Sequence, residues 1–291
     1  MKVVHIVPGT DDPTCGIAVA AKQLIARGVG EEGEVWVHSM WTPMVIKASI
    51  KALLTGKKLV RMPHGCTDPT KLKYHWHKKR WIAPIERWLF RRADRIVATC
   101  DEEIEWIKAF EPRVKKVEVI QLSPASVKPV SCPLSPVDLE SDRPSKLKLL
   151  YIGRLHPLKG VEFLLKAIPE DCSLVIIGKD EGEGKKLRKI AQLRGLDVEF
   201  KGVVGEAEKE EAYQWCDVLV LPTLSENFGL VVAEALERGK RVITTDGASA
   251  WGDGNTYGGR LVYLKGYRDG QAEMRVRLLK DAIERMLCHS C

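Results

Sequence analysis

Short apolar runs alternate with amphipathic stretches along most of the chain. Lys2–Val7, Glu34–His38, Lys58–Arg61, Arg95–Thr99 and Lys116–Ile120 have strand length and strand composition. Between them, Gly16–Ala26, Met44–Leu54, Pro84–Arg92 and Glu102–Phe110 carry apolar residues at helical spacing. Strands alternating with helices predict parallel sheets covered on both faces. Residues 123–145 interrupt the rhythm with five prolines, several serines and little periodicity, which predicts a linker. A second alternation starts at Lys146, with strands at Leu147–Ile152, Leu174–Gly178, Val198–Val203 and Asp217–Pro222. A helix at Phe228–Arg238 and a last helical pattern at Met274–Leu287 follow. The reading is an α/β chain: one domain over residues 1–122, a linker over 123–145, and a second domain over 146–291.

Composition narrows the class. The chain has 291 residues, 45% hydrophobic and 29% charged, which is the make-up of a globular protein with a proper core. No apolar run approaches the about 18 residues that span a bilayer. Met1–Gly9 is too short an apolar stretch for a signal peptide and is expected to hold a first strand. Eight cysteines lie scattered along the chain, so reduced thiols of a cytoplasmic protein are expected rather than a disulfide framework. Cys288, His289 and Cys291 are too sparse a set to predict a metal site.

The net charge of +7 matters through its placement. Between Lys71 and Arg92 eight Lys and Arg face one acid, Glu86, and are interleaved with Trp76, Trp81 and Trp88. Such a segment suits an anionic membrane surface, a phosphorylated glycolipid, or an ordinary exposed helix with Ile85, Trp88 and Leu89 turned inward. No nucleic-acid motif accompanies it.

Two segments carry candidate chemistry. In Ser225-Glu-Asn-Phe-Gly-Leu-Val-Val-Ala-Glu234 two carboxylates have seven residues between them, Glu226 in a strand-to-helix loop and Glu234 on an otherwise apolar helix face. A carboxylate among Leu230, Val231, Val232 and Leu236 needs a partner, either sugar hydroxyls or an arginine. In Gly153-Arg-Leu-His-Pro-Leu-Lys-Gly160 a strand, a glycine, two cations and a helix start form a turn suited to a diphosphate. Both cations could equally be solvated. Gly178–Gly184 lacks the spacing of a dinucleotide fingerprint and reads as a strand-to-helix loop.

Together, Tyr151-Ile-Gly-Arg-Leu-His-Pro-Leu-Lys-Gly160 and the later Glu226 and Glu234 resemble the retaining GT-B glycosyltransferases of the group 1, family 4-like class. That class includes lipopolysaccharide core and mannosyl transferases. Leu174–Gly178, Val198–Val203, Tyr213–Val218 and Val242–Gly247 follow in family order. The resemblance implies two Rossmann-like domains facing a cleft and a hexosyltransferase. Its substrates are a nucleotide diphosphate sugar and a glycan or glycolipid acceptor, as in lipopolysaccharide or other cell-surface polysaccharide synthesis. It implies retention of anomeric configuration and no cofactor or metal; the chain has no DxD motif, and Arg154 and Lys159 take the metal's place.

The resemblance also assigns residues. Glu226, His64, Arg154 and Lys159 are the catalytic set. The donor is held by these three second-domain residues with Gly153, Val203, Asn227, Phe228, Gly229, Leu230 and Glu234, the last on the ribose and Val203 beside the base. Gly16, Thr99 and Glu102 line the cleft on the acceptor side. The expected location is cytoplasmic, at the inner face of the cytoplasmic membrane through Lys71–Arg92, with homo-oligomerisation open. Family members commonly continue with further helices after the last pattern seen here. The alternative reading, an inactive nucleotide-sugar-binding accessory subunit, rests on that departure.

Overall fold

The computed structural model describes residues 3–8, 16–74, 76–120, 146–252 and 260–287. The chain divides into two compact units, residues 1–122 and 123–291. The expected linker, most of the loop before Gly16 and the Cys288–Cys291 end lie outside the described residues.

The first unit runs β1 (Val4–Ile6), α1 (Gly16–Ala26), β2 (Glu34–His38), α2 (Pro43–Leu54), β3 (Lys58–Met62), α3 (Pro69–Lys73), α4 (Trp76–Arg92), β4 (Arg95–Ala98), α5 (Asp101–Phe110) and β5 (Val117–Val119). Its five strands are parallel and lie side by side in chain order. Val35 and Val37 of β2, Leu59 of β3 and Ile96 of β4 form a core with Val45, Phe90, Ile107 and Phe110 from the helices. Helix α2 begins where Thr42 accepts a hydrogen bond from the Val45 amide and Pro43 fixes the first helical φ.

Helix α4 departs from the sequence expectation, since it starts at Trp76 and runs through Pro84. Proline removes the hydrogen bond to the carbonyl four residues back, that of Arg80. Arg80 is exposed, so water can take the missing donor's place. Ala83, Glu86, Leu89 and Phe90 are buried at helical spacing, and this packing holds the helix across the break.

Glu86, the single acid of the basic segment, is wholly buried. Its carboxylate accepts from Arg61 at 2.7 Å and from the Trp41 amide at 2.8 Å, and neither side chain of the pair is exposed. Arg61 also donates to Ser49 at 3.0 Å and lies over the Phe90 ring. The surface of α4 is thereby left with its basic residues, while the acid locks the helix to β3. Replacing Glu86 strands a guanidinium in the core: Glu86→Ala is expected to cost roughly 3–5 kcal/mol, read from the urea unfolding midpoint. A loss below about 1 kcal/mol, the worth of a surface pair, would show that the pair is not desolvated.

The second unit runs β6 (Leu147–Ile152), a 3-10 turn (Pro157–Lys159), α6 (Val161–Ala167), β7 (Cys172–Ile177), α7 (Gly184–Leu193), β8 (Asp197–Gly202), α8 (Glu206–Trp215), β9 (Val218–Leu221), α9 (Leu230–Glu237), β10 (Arg241–Thr245), β11 (Leu261–Leu264) and α10 (Ala272–Leu287). Its parallel strands are ordered β8-β7-β6-β9-β10-β11. From β6 the chain first builds outward through β7 and β8, then returns to place β9 on the other side of β6. At such a reversal the loops leaving two adjacent strands diverge and open a crevice at their carboxyl ends. Here those are the loops after Ile152 and Leu221. Helix α9 begins at Leu230, two residues later than its apolar pattern predicts, because Gly229 takes φ 72°. The Phe228 carbonyl is also taken by the Trp251 indole N–H at 2.5 Å.

Candidate functional site

The crevice of the second unit is built from backbone first. Gly153 donates to the Ile177 carbonyl at 2.9 Å and Leu155 to that of Lys179 at 2.8 Å, so the loop leaving β6 stays paired with the loop leaving β7. A Cβ on Gly178 would lie 1.9 Å from the Gly153 carbonyl oxygen, so this close approach admits only glycine. On the other side Leu224 donates to the Leu158 carbonyl at 2.8 Å and Glu226 to that of Gly247 at 2.7 Å. Gly160, at φ 68°, packs its Cα where a Cβ would meet the Pro222 carbonyl at 2.0 Å. The loops after β6, β9 and β10 are thus stitched into one rim.

This rim places the predicted charges. Lys159, buried, donates to the Glu226 carboxylate and to the Ser225 carbonyl, the latter at 3.3 Å. The other Glu226 oxygen accepts from the Asn227 amide at 3.2 Å. Arg154 spans both oxygens of Glu181 at 3.1 and 2.9 Å. Tyr151 donates to the Arg154 carbonyl at 2.9 Å; burial, then the charge of Glu226, push its phenol well above the ordinary range. Gly153, Arg154, Lys159, Glu226 and Asn227 are therefore held in one crevice, with each cation already facing a carboxylate.

Among the described residues, Glu234 is partnered from α8 and not by an arginine. On α9 it accepts from Tyr213 at 2.7 Å and from Lys209 at 2.8 Å, both on α8. Val203, half exposed, lines a cavity of about 130 Å³ with Leu155, Gly178, Asp180 and Phe200 at the ends of β6, β7 and β8. Arg188 lies 4.4 Å above the Phe200 ring on its wall. Phe228 packs on Trp251, and Gly229 and Leu230 open α9.

In the first unit the candidates sit at the carboxyl edge of the sheet. His64 follows β3 at φ 52°, an uncommon conformation for a residue with a Cβ. The Glu103 carboxylate clamps this turn: one oxygen accepts from the Gly65 amide, the other from the Thr99 amide at 2.8 Å and hydroxyl at 2.7 Å. Thr99 is buried, whereas the neighbouring Glu102 is half-buried on the first turn of α5. His64 Nε2 lies 2.8 Å from His38 Nδ1, and His38 Nε2 lies 3.0 Å from His5 Nδ1. The three rings stack across three strands, with centroids 5.3 and 5.1 Å apart. Gly16 opens α1, and nothing lies within 4 Å of a Cβ placed on it.

Models of known families match both units. Glycosyl transferases group 1 matches residues 140–253, and Glycosyltransferase Family 4 matches residues 2–122. The chain belongs to the group 1 glycosyltransferases. The D-inositol 3-phosphate glycosyltransferase of Streptomyces scabiei is 30% identical over 182 residues, 54% of this chain and 40% of that protein. The phosphatidyl-myo-inositol mannosyltransferase of Mycolicibacterium smegmatis is 33% identical over 144 residues, 46% of this chain and 36% of that protein. The matched region is thus less than half the length of these curated relatives. Among solved structures, WaaG, a glycosyltransferase involved in lipopolysaccharide biosynthesis, superposes with a TM-score of 0.66 at 15% identity, covering 98% of this chain and 91% of that one. Two parallel-sheet α/β units with these neighbours make the fold GT-B.

Glu103, Glu181, Tyr213 and Lys209 pair with the candidate residues and carry no local signal in the sequence. Glu103 stands one residue from Glu102, and only helical phase, with Ile107 and Phe110 buried on the same side, separates them. Burial drives the rings of His38 and His64 down to about 2 and about 3, with His64 and His5 adding to the effect on His38 and Lys71 to that on His64. Both folded values lie below the ordinary value of 6.5, so the unfolded chain binds the protons. This contribution is fully present above about pH 6.5 and is lost as the pH falls toward the folded values. Stability of the first unit should therefore drop below pH 6.5 by up to about 1.4 kcal/mol per pH unit for each histidine. Urea midpoints at descending pH check this, and a midpoint that holds between neutral pH and pH 4.5 would contradict a buried neutral pair.

Proposed function

We propose that this protein transfers a hexose from a nucleoside-diphosphate sugar to a glycan or glycolipid acceptor, with retention of configuration and without a metal. The observation that carries this reading is the gathering of Arg154, Lys159 and Glu226 at the point where strand order reverses in the second unit. The diphosphate lies against Arg154 and Lys159, whose charges stabilise the one that develops on the leaving phosphate. The base enters the cavity beside Val203, the ribose faces Glu234, and Glu226 meets the donor sugar with the amides of Asn227–Leu230. His64 serves the reacting centre, with Gly16, Thr99 and Glu102 on the acceptor side. In the transfer, the bond from the anomeric carbon to the β-phosphate oxygen breaks and its electron pair leaves with the diphosphate. The acceptor hydroxyl oxygen bonds the same carbon, and its proton passes to the leaving phosphate.

Thermal unfolding without divalent metal tests the donor side, against UDP, GDP, ADP, CMP and NAD. A ligand at 100 times its Kd stabilises by about 2.7 kcal/mol. The expected result is a shift with one nucleoside diphosphate that disappears in Glu234→Ala and in Arg154→Ala with Lys159→Ala. A shift with NAD alone would overturn the reading, and no shift with any nucleotide would count against both the transferase and the nucleotide-sugar-binding accessory subunit.

The acceptor is proposed to be membrane-linked, as in cell-surface polysaccharide synthesis, with the protein at the inner face of the cytoplasmic membrane. Two matches support this: a relative named for a phosphatidylinositol substrate and a neighbour named for lipopolysaccharide biosynthesis. Helix α4 presents Trp81, Ile85 and Trp88 at 73%, 44% and 38% exposure along one stripe, beside exposed Lys78 and Arg80. No helix among the described residues is long and apolar enough to cross a membrane. Flotation should show binding to vesicles containing anionic lipid that falls steeply with salt and weakens in Trp81→Ala with Trp88→Ala. Equal binding to neutral vesicles would exclude an electrostatic surface.

A further inference from the structure

The histidine row in the first unit has a direction. His38 is fully buried and His64 nearly so, and burial keeps both rings neutral. A neutral imidazole has one N–H and one lone pair, so hydrogen bonds through a row of them must all point the same way. The row's far end fixes which way. His5 turns Nδ1 toward His38, and its ring also hydrogen-bonds the Val29 backbone, for which Nε2 is the nitrogen left over. Val29 commits its own N–H to the Leu24 carbonyl at 3.0 Å, which leaves its carbonyl as the group that faces His5. A carbonyl accepts only, so His5 carries its proton on Nε2 and its Nδ1 is bare. His38 Nε2–H then donates to His5, and His38 Nδ1 is bare in turn. His64 Nε2–H donates to His38. In the opposite order a bare His5 nitrogen would face a carbonyl oxygen, two lone pairs in contact.

We propose that His38 and His5 are positioning residues that hold His64 as its Nε2–H tautomer, leaving Nδ1 as a hydrogen-bond acceptor for a substrate hydroxyl. This rests on the reading of His64 as a residue of the transfer site. The row adds orientation to tautomer. The stacked rings of Trp36, His38 and His5 hold the plane of the row, while Glu103 ties down the turn that follows His64. A side chain fixed at both the ring and the backbone loses little freedom when a hydroxyl arrives, as preorganised sites require.

The first test needs no variant and no substrate. In protein labelled with 15N at its histidine rings, His5, His38 and His64 should each show a protonated Nε2 and a bare Nδ1 between pH 6 and 8. A protonated Nδ1 on His64 would overturn the proposal. The second test is turnover, read as nucleoside diphosphate released from UDP- and GDP-hexoses. His38→Phe removes the acceptor and is expected to lower kcat about a hundredfold while the donor KM stays within about twofold. His38→Asn, whose amide oxygen can stand where Nδ1 was, should recover most of that loss. Equal kcat in His38→Phe and the parent, with His64→Ala inactive, would overturn the positioning role. Full activity of His64→Ala would instead remove His64 from the transfer and take the proposal with it. The ring spectrum distinguishes that failure, because it reads the tautomer without any chemistry.

Discussion

A lysine ammonium that is 6% exposed cannot stand alone, and the arrangement of the second unit follows from how Lys159 is paired. Its partner, Glu226, lies on a loop 67 residues away. To meet it, the 3-10 turn after β6 must press against the loop after β9, which is why Gly160 has no room for a side chain beside Pro222. The same contact recruits the β10 edge. Thr245 donates to the Thr223 carbonyl at 2.5 Å, and the Gly247 carbonyl accepts from the Glu226 amide. One buried ion pair thereby registers three strand ends.

The two sheets use their carboxyl edges differently because their strand orders differ. In the second unit the reversal between β6 and β9 separates two loops and leaves charged side chains between them. The first unit's described strands run in unbroken order, so its loops do not part. Instead, its polar groups are brought together through the sheet itself: His5, His38 and His64 lie on three neighbouring strands or their ends, within hydrogen-bonding reach of one another. An open crevice suits an extended anion. A stiff row of rings suits the placing of a single atom.

Much of this was legible in the sequence where a signal is local. Gly16–Ala26, Glu34–His38 and Leu147–Ile152 appear as read, because each carries its own apolar period and its own end signal. The family of the chain was legible as well, since Gly153–Gly160 and Glu226–Glu234 are contiguous motifs. What escaped the reading depends on partners far away in sequence. Pro84 looked like a helix start, but long-range packing of Ala83, Leu89 and Phe90 carries α4 through it. Glu234 finds its protein partners not in an arginine but in Lys209 and Tyr213, which reach it from a helix one strand earlier. The histidine row has no signature in one dimension, because its members are separated by 33 and 26 positions and meet only through sheet register.

The prior pairing of the two crevice cations bears on what the crevice selects. With Glu181 on Arg154 and Glu226 on Lys159, the two cations are already matched, and an anion that binds them exchanges with a carboxylate. A neutral sugar gains nothing by that exchange, since it would leave a carboxylate and a cation both unpaired. A diphosphate offers several charged oxygens and can replace both carboxylates at once, with charge-assisted hydrogen bonds of comparable strength. Such an exchange would also free Glu226 from Lys159, at the loop where the donor sugar is proposed to lie. On the proposed reading, the carboxylate released by a phosphate would be the one that meets the sugar, which would couple recognition of the two halves of the donor.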